Sequence, residues 1–189
     1  MVSQWAYAGL MGLFAVERVG ELWVSRRNAR QAFAQGAVEV GRGHFRVMAL
    51  VHAAFLVACP AEVFGLGRRF PGAVGWACLV GVLLAQGLRY WAILTLGVRW
   101  NVRIIVWPER APVTAGPYRF LRHPNYLAVA TELLLVPLVH GAWICATVFT
   151  IANALLLRVR IRAEEAALGA RYAETFAAHR RLVPGLPRS

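Results

Sequence analysis

Two apolar stretches, Val47 to Leu66 and Ala73 to Val98 with the single interruption Arg89, fix the solvent in which this chain folds. A helix needs ~20 residues to cross ~30 Å of hydrocarbon, and each stretch reaches that length. Three further runs are shorter: Val2 to Val16, Tyr126 to Val139 and Ala142 to Leu157. The first becomes a full span only when Glu17, Arg18 and Glu21 lie at its end or inside a bundle. The last two meet around Pro137, His140 and Gly141, a tight turn that makes them a helical hairpin, one that need not cross completely. Hydrophobic residues form 59% of the sequence and charged residues only 16%, against about a quarter charged in a soluble domain. The expected fold is one all-α integral membrane domain spanning 1–189. It has about five transmembrane helices, over residues 2–24, 44–66, 73–98, 125–139 and 142–162, and a cytoplasmic amphipathic helix over 163–181.

The formal charge of +12 raises nucleic acid as a partner, but the positions of the charges argue against it. All 21 basic residues are arginine, and they cluster after the first run, between the third and fourth, and after the fifth. The intervening segments on the other side hold Arg68 and Arg69 alone. By the positive-inside rule the amino terminus is outside, and the two long loops and the carboxyl tail are cytoplasmic. The expected location is a bacterial inner membrane. The first run has neither the basic start nor the small-residue cleavage site of a signal peptide. Cys59, Cys78 and Cys145 all sit in apolar runs without metal or disulfide spacing, and no metal is expected.

Ionisable groups at membrane depth are costly unless they are paired or face a polar cavity. Glu17 and Glu21 share a helix face beside Arg18, which reads as a cluster where the first helix leaves the bilayer. Glu132 falls seven residues into a short apolar helix, so it points inward, either to Arg89 as an ion-pair partner or towards a cofactor. His44, Met48 and His52 form one stripe at the start of the second helix. Residues eight apart lie ~12 Å apart along the axis, too far to share a metal, so the stripe is packing, with His44 free to reach a headgroup or substrate.

The segment Thr114-Ala-Gly-Pro-Tyr-Arg-Phe-Leu-Arg-His-Pro-Asn-Tyr126 is a polar, aromatic loop among these helices. Pro124 holds His123 extended and starts the fourth helix. His123, Asn125 and Tyr126 therefore sit at a helix amino terminus, where free N–H groups favour an anionic group. Tyr118, Phe120 and Tyr126 offer flat surfaces, and Arg119 and Arg122 offer partners for carboxylate or phosphate. Two readings stand side by side: a site for an aromatic, partly anionic ligand, and an arginine-rich interfacial belt. After the fifth run, Arg160 and Glu164 are four apart on one helix face. Such a surface pair contributes only ~0.3–0.5 kcal/mol, so stability is a weak reason for its presence.

Val113-Thr-Ala-Gly-Pro-Tyr118, Arg122-His-Pro-Asn-Tyr126, Glu132, Arg160 with Glu164-Glu165 and Leu168, Tyr172 and Val183-Pro-Gly-Leu-Pro187 resemble the isoprenylcysteine carboxyl methyltransferase family. Upstream, Glu39 to His52 and Leu88 to Asn101 resemble its bacterial branch, linked with alkylpyrones and alkylresorcinols. The resemblance implies a membrane-embedded O-methyltransferase that uses S-adenosyl-L-methionine. It places the cofactor at Val113, Thr114, Tyr118, His123, Pro124, Asn125 and Tyr126, with Glu132 towards it. Arg160 and Glu164 fall beside the reacting group, with His44, Arg160 and Glu165 on the acceptor. The implied acceptor is a lipid-tailed phenol, hydroxypyrone or carboxylate held among membrane lipid, and a prenylated cysteine is the alternative. An NADPH-dependent sterol-type reductase, whose relatives are longer, and a non-catalytic lipid-binding protein are the competing classes. Neither the oligomeric state nor the acceptor itself is legible in the residues.

Overall fold

The computed structural model describes residues 2–107 and 110–177. Five helices carry the fold: α1 (Val2–Ala34), α2 (Arg42–Gly65), α3 (Ala73–Leu96), α4 (Pro124–Leu138) and α5 (Trp143–Ala177). Among the described residues, Phe45–Gly65, Ala73–Arg99 and Trp143–Gly169 are long and apolar enough to cross a membrane. The protein is thus a mostly helical membrane protein. The fourth helix is apolar but has 15 residues, a rise of ~22 Å.

Three features add to the expected helical fold. The first helix continues to Ala34 instead of ending at residue 24, because its buried stripe continues. Tyr7, Met11, Phe14, Glu21, Ser25, Asn28 and Ala32 are buried, and half-buried Arg18 completes a three-four spacing that keeps one face inward. The fold is not purely helical, since β1 (Val38–Val40) and β2 (Ile104–Val106) pair antiparallel with Val38 opposite Val106. Strands of three residues are too short to give an alternation signal, and it is burial of Ile105 against Ala29, Ala32 and Ala37 that holds them. The helix break expected near residue 162 lies instead at Gly169, whose φ of 69° and ψ of −166° suit glycine. Arg160, Glu164 and Glu165 therefore ride on the same rigid helix as the membrane segment. Residues 178–181 of the expected tail helix and the Val183 to Pro187 motif lie outside the described residues.

Close backbone approach joins α3 to α4. A side chain at Gly75 would come within 2.8 Å of the Val139 carbonyl, so that position needs glycine, and Gly81 lies against the Leu135 side chain. At the far end, Glu62 of α2 accepts the N–H groups of Ile144 and Cys145 at 3.2 and 2.7 Å. It thereby caps the first turn of α5 from a neighbouring helix while paired with Arg68 at 2.9 Å.

Glu21 of α1 is buried between helices, with Glu17 and Arg18 half-buried beside it. Arg89 of α3 grips Glu21 with two bonds of 2.6 and 2.7 Å and lies 3.5 Å from Glu132. Arg18 reaches Glu21 at 2.9 Å, Glu132 at 3.2 Å and Glu17 at 3.3 Å, and Gln86 donates to Glu17 at 2.7 Å. This network joins three helices, and it answers the question left by Glu132: its partners are arginines. Removing one partner of a buried pair strands the other charge, which costs about 3–5 kcal/mol. Arg89→Ala is accordingly expected to lower unfolding free energy by about that amount in detergent-denaturation titrations, whereas Arg68→Ala, at a more exposed pair, is expected to cost well under half as much.

Candidate functional site

Two connections and two helix ends enclose a cavity that is partly open to solvent. One wall is the segment from Leu96 to Trp107, which leaves α3 through a 3-10 turn at Gly97–Arg99 and runs into β2. The opposite wall is the aromatic loop. Gly116, at φ 53°, sits so close to α3 that a side chain would collide with Trp91 and Thr95, and this contact pins the 3-10 turn Gly116–Arg119 beneath it. Tyr118 is buried as a result.

Pro124 opens α4, and the carbonyl of His123 accepts the N–H groups of Tyr126 and Leu127, both at 3.1 Å. Asn125 and Tyr126 thus project into the cavity from a first helical turn, with His123 stacked on Tyr126 at 5.3 Å between ring centroids. The floor comes from α5. Arg160 is buried at 4% exposure, donating from Nε to the Tyr126 hydroxyl at 2.8 Å and from Nη2 to the Val102 carbonyl at 2.5 Å. The Tyr126 hydroxyl in turn donates to Glu164 through a short hydrogen bond. Arginine, tyrosine and glutamate therefore form one directed chain, charged at both ends, whose carboxylate lies in the cavity wall. Behind it, Glu165 pairs with His123 at 3.1 Å and with Arg122 at 3.5 Å.

Of the residues singled out in the sequence, Val113, Tyr118, His123, Asn125, Tyr126 and Glu164 line this cavity. Thr114 is half-buried beside it, and Pro124 is buried under the first turn of α4. Arg160 and Glu165 stand one layer back, acting on the cavity through Tyr126 and His123. Glu132 is not part of the wall; it belongs to the charge network between α1, α3 and α4. His44 lies in the first turn of α2, and its side chain is outside the described residues. Met48, on the same stripe, sits with its sulfur 3.9 Å from Arg160. Residue-level reasoning missed the tryptophans Trp100 and Trp107 as wall residues. Both lie in the connection between α3 and α4, outside any helix, so no helical periodicity announced them. Tyr172, which stood only in the family resemblance, also reaches the cavity, with its ring centroid 6.3 Å from that of His123.

A family profile described as the isoprenylcysteine carboxyl methyltransferase (ICMT) family matches residues 76–170, which contain both walls and the Arg160–Tyr126–Glu164 chain. An uncharacterized Bacillus subtilis protein is 39% identical over 160 residues, covering 84% of this chain and 94% of its own length. A second uncharacterized protein, from Haemophilus influenzae, is 29% identical over 154 residues, covering 80% of this chain and 88% of its own. A Xenopus laevis protein-S-isoprenylcysteine O-methyltransferase is 32% identical over 128 residues, covering 60% of this chain and 42% of that protein. No solved structure matches.

The site makes two predictions that need no substrate. Tyr126→Phe removes the hydroxyl that serves both Arg160 and Glu164, and leaving buried groups unpaired is expected to cost about 1–3 kcal/mol in unfolding titrations. Burial, and then the charge of Glu164, pushes the Tyr118 phenol above its ordinary value. The folded state therefore favours the protonated phenol. Its contribution to stability is complete below the unfolded-state value of ~10 and is lost as pH rises above it. Tyr118→Phe should flatten the decline in stability above about pH 10, measured as melting temperature against pH.

Proposed function

This chain belongs to the isoprenylcysteine carboxyl methyltransferase family, and on that premise we propose that it transfers a methyl group from S-adenosyl-L-methionine to an oxygen of a lipid-tailed acceptor at the cytoplasmic face of the membrane. The observation that carries the reading is the Arg160–Tyr126–Glu164 chain, which brings a buried cation and a cavity-facing carboxylate to one aromatic pocket. The residues suit the cofactor. Tyr118, Tyr126 and Tyr172 supply ring faces for an adenine and for a sulfonium charge. Val113, Thr114, His123, Pro124 and Asn125 shape that half, and His44 and Glu165 belong to the acceptor half.

The cofactor supplies a methyl group already activated on a positively charged sulfur. The protein is left to align the acceptor oxygen, exclude water and keep that oxygen anionic. Arg160, fixed at Nε and Nη2 behind Tyr126, presents a preorganised cation whose charge favours an anionic acceptor oxygen in the cavity. A carboxylate acceptor needs no base. A phenol or hydroxypyrone has to lose a proton, and Glu164 is the carboxylate in the cavity wall that can take it. The acyl chain enters laterally between helices and leaves its polar head at the cofactor.

In the bilayer, α1 and α4 complete the three apolar spans to five passes, with the amino terminus outside and the carboxyl tail in the cytoplasm. The arginine distribution supports this orientation, and a bacterial inner membrane is the expected setting. Between acceptors, the resemblance of Glu39 to His52 to the alkylpyrone and alkylresorcinol branch favours a lipidic phenol or pyrone. A prenylated cysteine is the second reading, supported by the activity for which the Xenopus laevis relative is named.

Membranes containing the protein, incubated with radiolabelled S-adenosylmethionine and separate pools of pentadecylresorcinol, an alkyl hydroxypyrone and farnesylcysteine, are expected to label the first two lipids. Arg160→Ala and Glu164→Ala should each lower kcat by about 100-fold or more. Label found in farnesylcysteine alone would overturn the acceptor assignment. Saturable protection by NADPH with none by S-adenosylhomocysteine would overturn the enzyme class.

A further inference from the structure

The inner half of α1 lies outside the family profile, which begins at residue 76, and outside the cavity wall. Two polar side chains are nevertheless buried there: Ser25 at 2% exposure and Asn28 at 7%. Serine and asparagine compete poorly for helix interiors, because their side chains seek backbone partners elsewhere. The segment from Gly97 to Arg103 is what they have found. Between its 3-10 turn and β2 this segment has no ladder, so its peptide groups require side-chain partners. Asn28 donates to the carbonyls of Trp100 at 2.9 Å and Gly97 at 3.2 Å. Ser25 donates from its hydroxyl to Asn101 Oδ1 at 2.8 Å and accepts the Val102 N–H at 3.3 Å, while Asn101 Nδ2 donates back to the Ser25 carbonyl at 2.9 Å.

One peptide unit links this clamp to the site. The plane between Val102 and Arg103 offers its N–H to Asn101 Oδ1, at 3.0 Å, and its carbonyl to Arg160 Nη2, at 2.5 Å. A peptide group is planar, so fixing its N–H fixes the direction of its carbonyl. Arg160 is held at Nε by Tyr126, and the Val102 carbonyl is the second point that stops its guanidinium from pivoting about that bond. From this geometry we infer that Ser25 is a positioning residue for Arg160, acting through Asn101 and the Val102–Arg103 peptide. Ser25 bears on the Asn101–Val102 segment and through it on Arg160; α4 and the aromatic loop, which carry the proposed cofactor side, are anchored on α3 instead. The inference rests on the proposed role of Arg160 in methyl transfer for its catalytic consequence, and on the structure alone for the positioning.

The test has two arms. With the full-length protein in detergent micelles and its arginines labelled with ¹⁵N, the Arg160 Nε–H resonance is identified by its loss in Arg160→Lys. Ser25→Ala is expected to shift that resonance and speed its hydrogen exchange by about tenfold or more, and Ser25→Thr to restore both. In the second arm, with pentadecylresorcinol as probe, Ser25→Ala should lower kcat by about tenfold or more, because misplacement of an aligning group by ~1 Å is felt strongly in rate. The KM for S-adenosylmethionine should stay within about twofold. In the Arg160→Lys background Ser25→Ala should have no further effect on kcat. Ser25→Cys, which keeps the volume and weakens the bonds, carries both arms if the alanine variant fails to fold. An unchanged exchange rate overturns the inference, as does an unchanged kcat beside a faster exchange or an equal kcat loss in the Arg160→Lys background. If the parent protein methylates no probe, the functional reading fails and the exchange arm alone decides the positioning.

Discussion

Arg89 has no water to turn to, and the fold is organised around that fact. It is 4% exposed in the middle of the most apolar stretch of the chain, so its charge has to be met by other side chains. Glu21 meets it from α1 and Glu132 from α4, while Arg18 bridges both carboxylates. Pairing of this kind fixes more than distance. The two-bond grip between Arg89 and Glu21 sets the rotation and the height of α1 against α3, which apolar packing alone leaves free to slide. Once Glu21 is placed, Ser25 and Asn28 follow one and two turns along the same stripe, directly against the segment from Gly97 to Arg103.

The candidate site is therefore continuous with the charge network. The α1 stripe is apolar at Tyr7, Met11 and Phe14, ionic at Arg18 and Glu21, and hydrogen-bonding at Ser25 and Asn28, with each zone suited to its surroundings. Its last zone shapes the loop whose Val102 carbonyl holds Arg160. The α4 helix, fixed to α3 at Gly75 and Gly81, brings Tyr126 to the same arginine from the other side. Two independently anchored elements thus converge on one guanidinium, the condition for a group preorganised before any ligand arrives.

Legibility followed the range of the interactions. The apolar runs and the proline at the start of α4 are local signals, and they placed α2, α3 and α4 within two residues at each end. The aromatic loop was visible as a polar anomaly, and six of the residues singled out in the sequence do line the cavity. Glu132 was readable as inward-facing, with Arg89 or a cofactor as its partner; Arg18, 114 positions away, was not foreseen. The strand pair was illegible for a similar reason: three-residue strands separated by α2 and α3 have no local period.

By itself, the sequence determined the lipid environment, the helical class and the chemical character of the Thr114 to Tyr126 loop, since these depend on composition and on neighbours a few positions apart. Tertiary structure alone decided which carboxylate meets which arginine, that Arg160 is buried instead of forming a surface pair, and that Ser25 faces the loop carrying Val102. The physical reason is that burial and hydrogen-bond direction belong to pairs of elements. A helix period states which side chains share a face, but only packing states what that face meets.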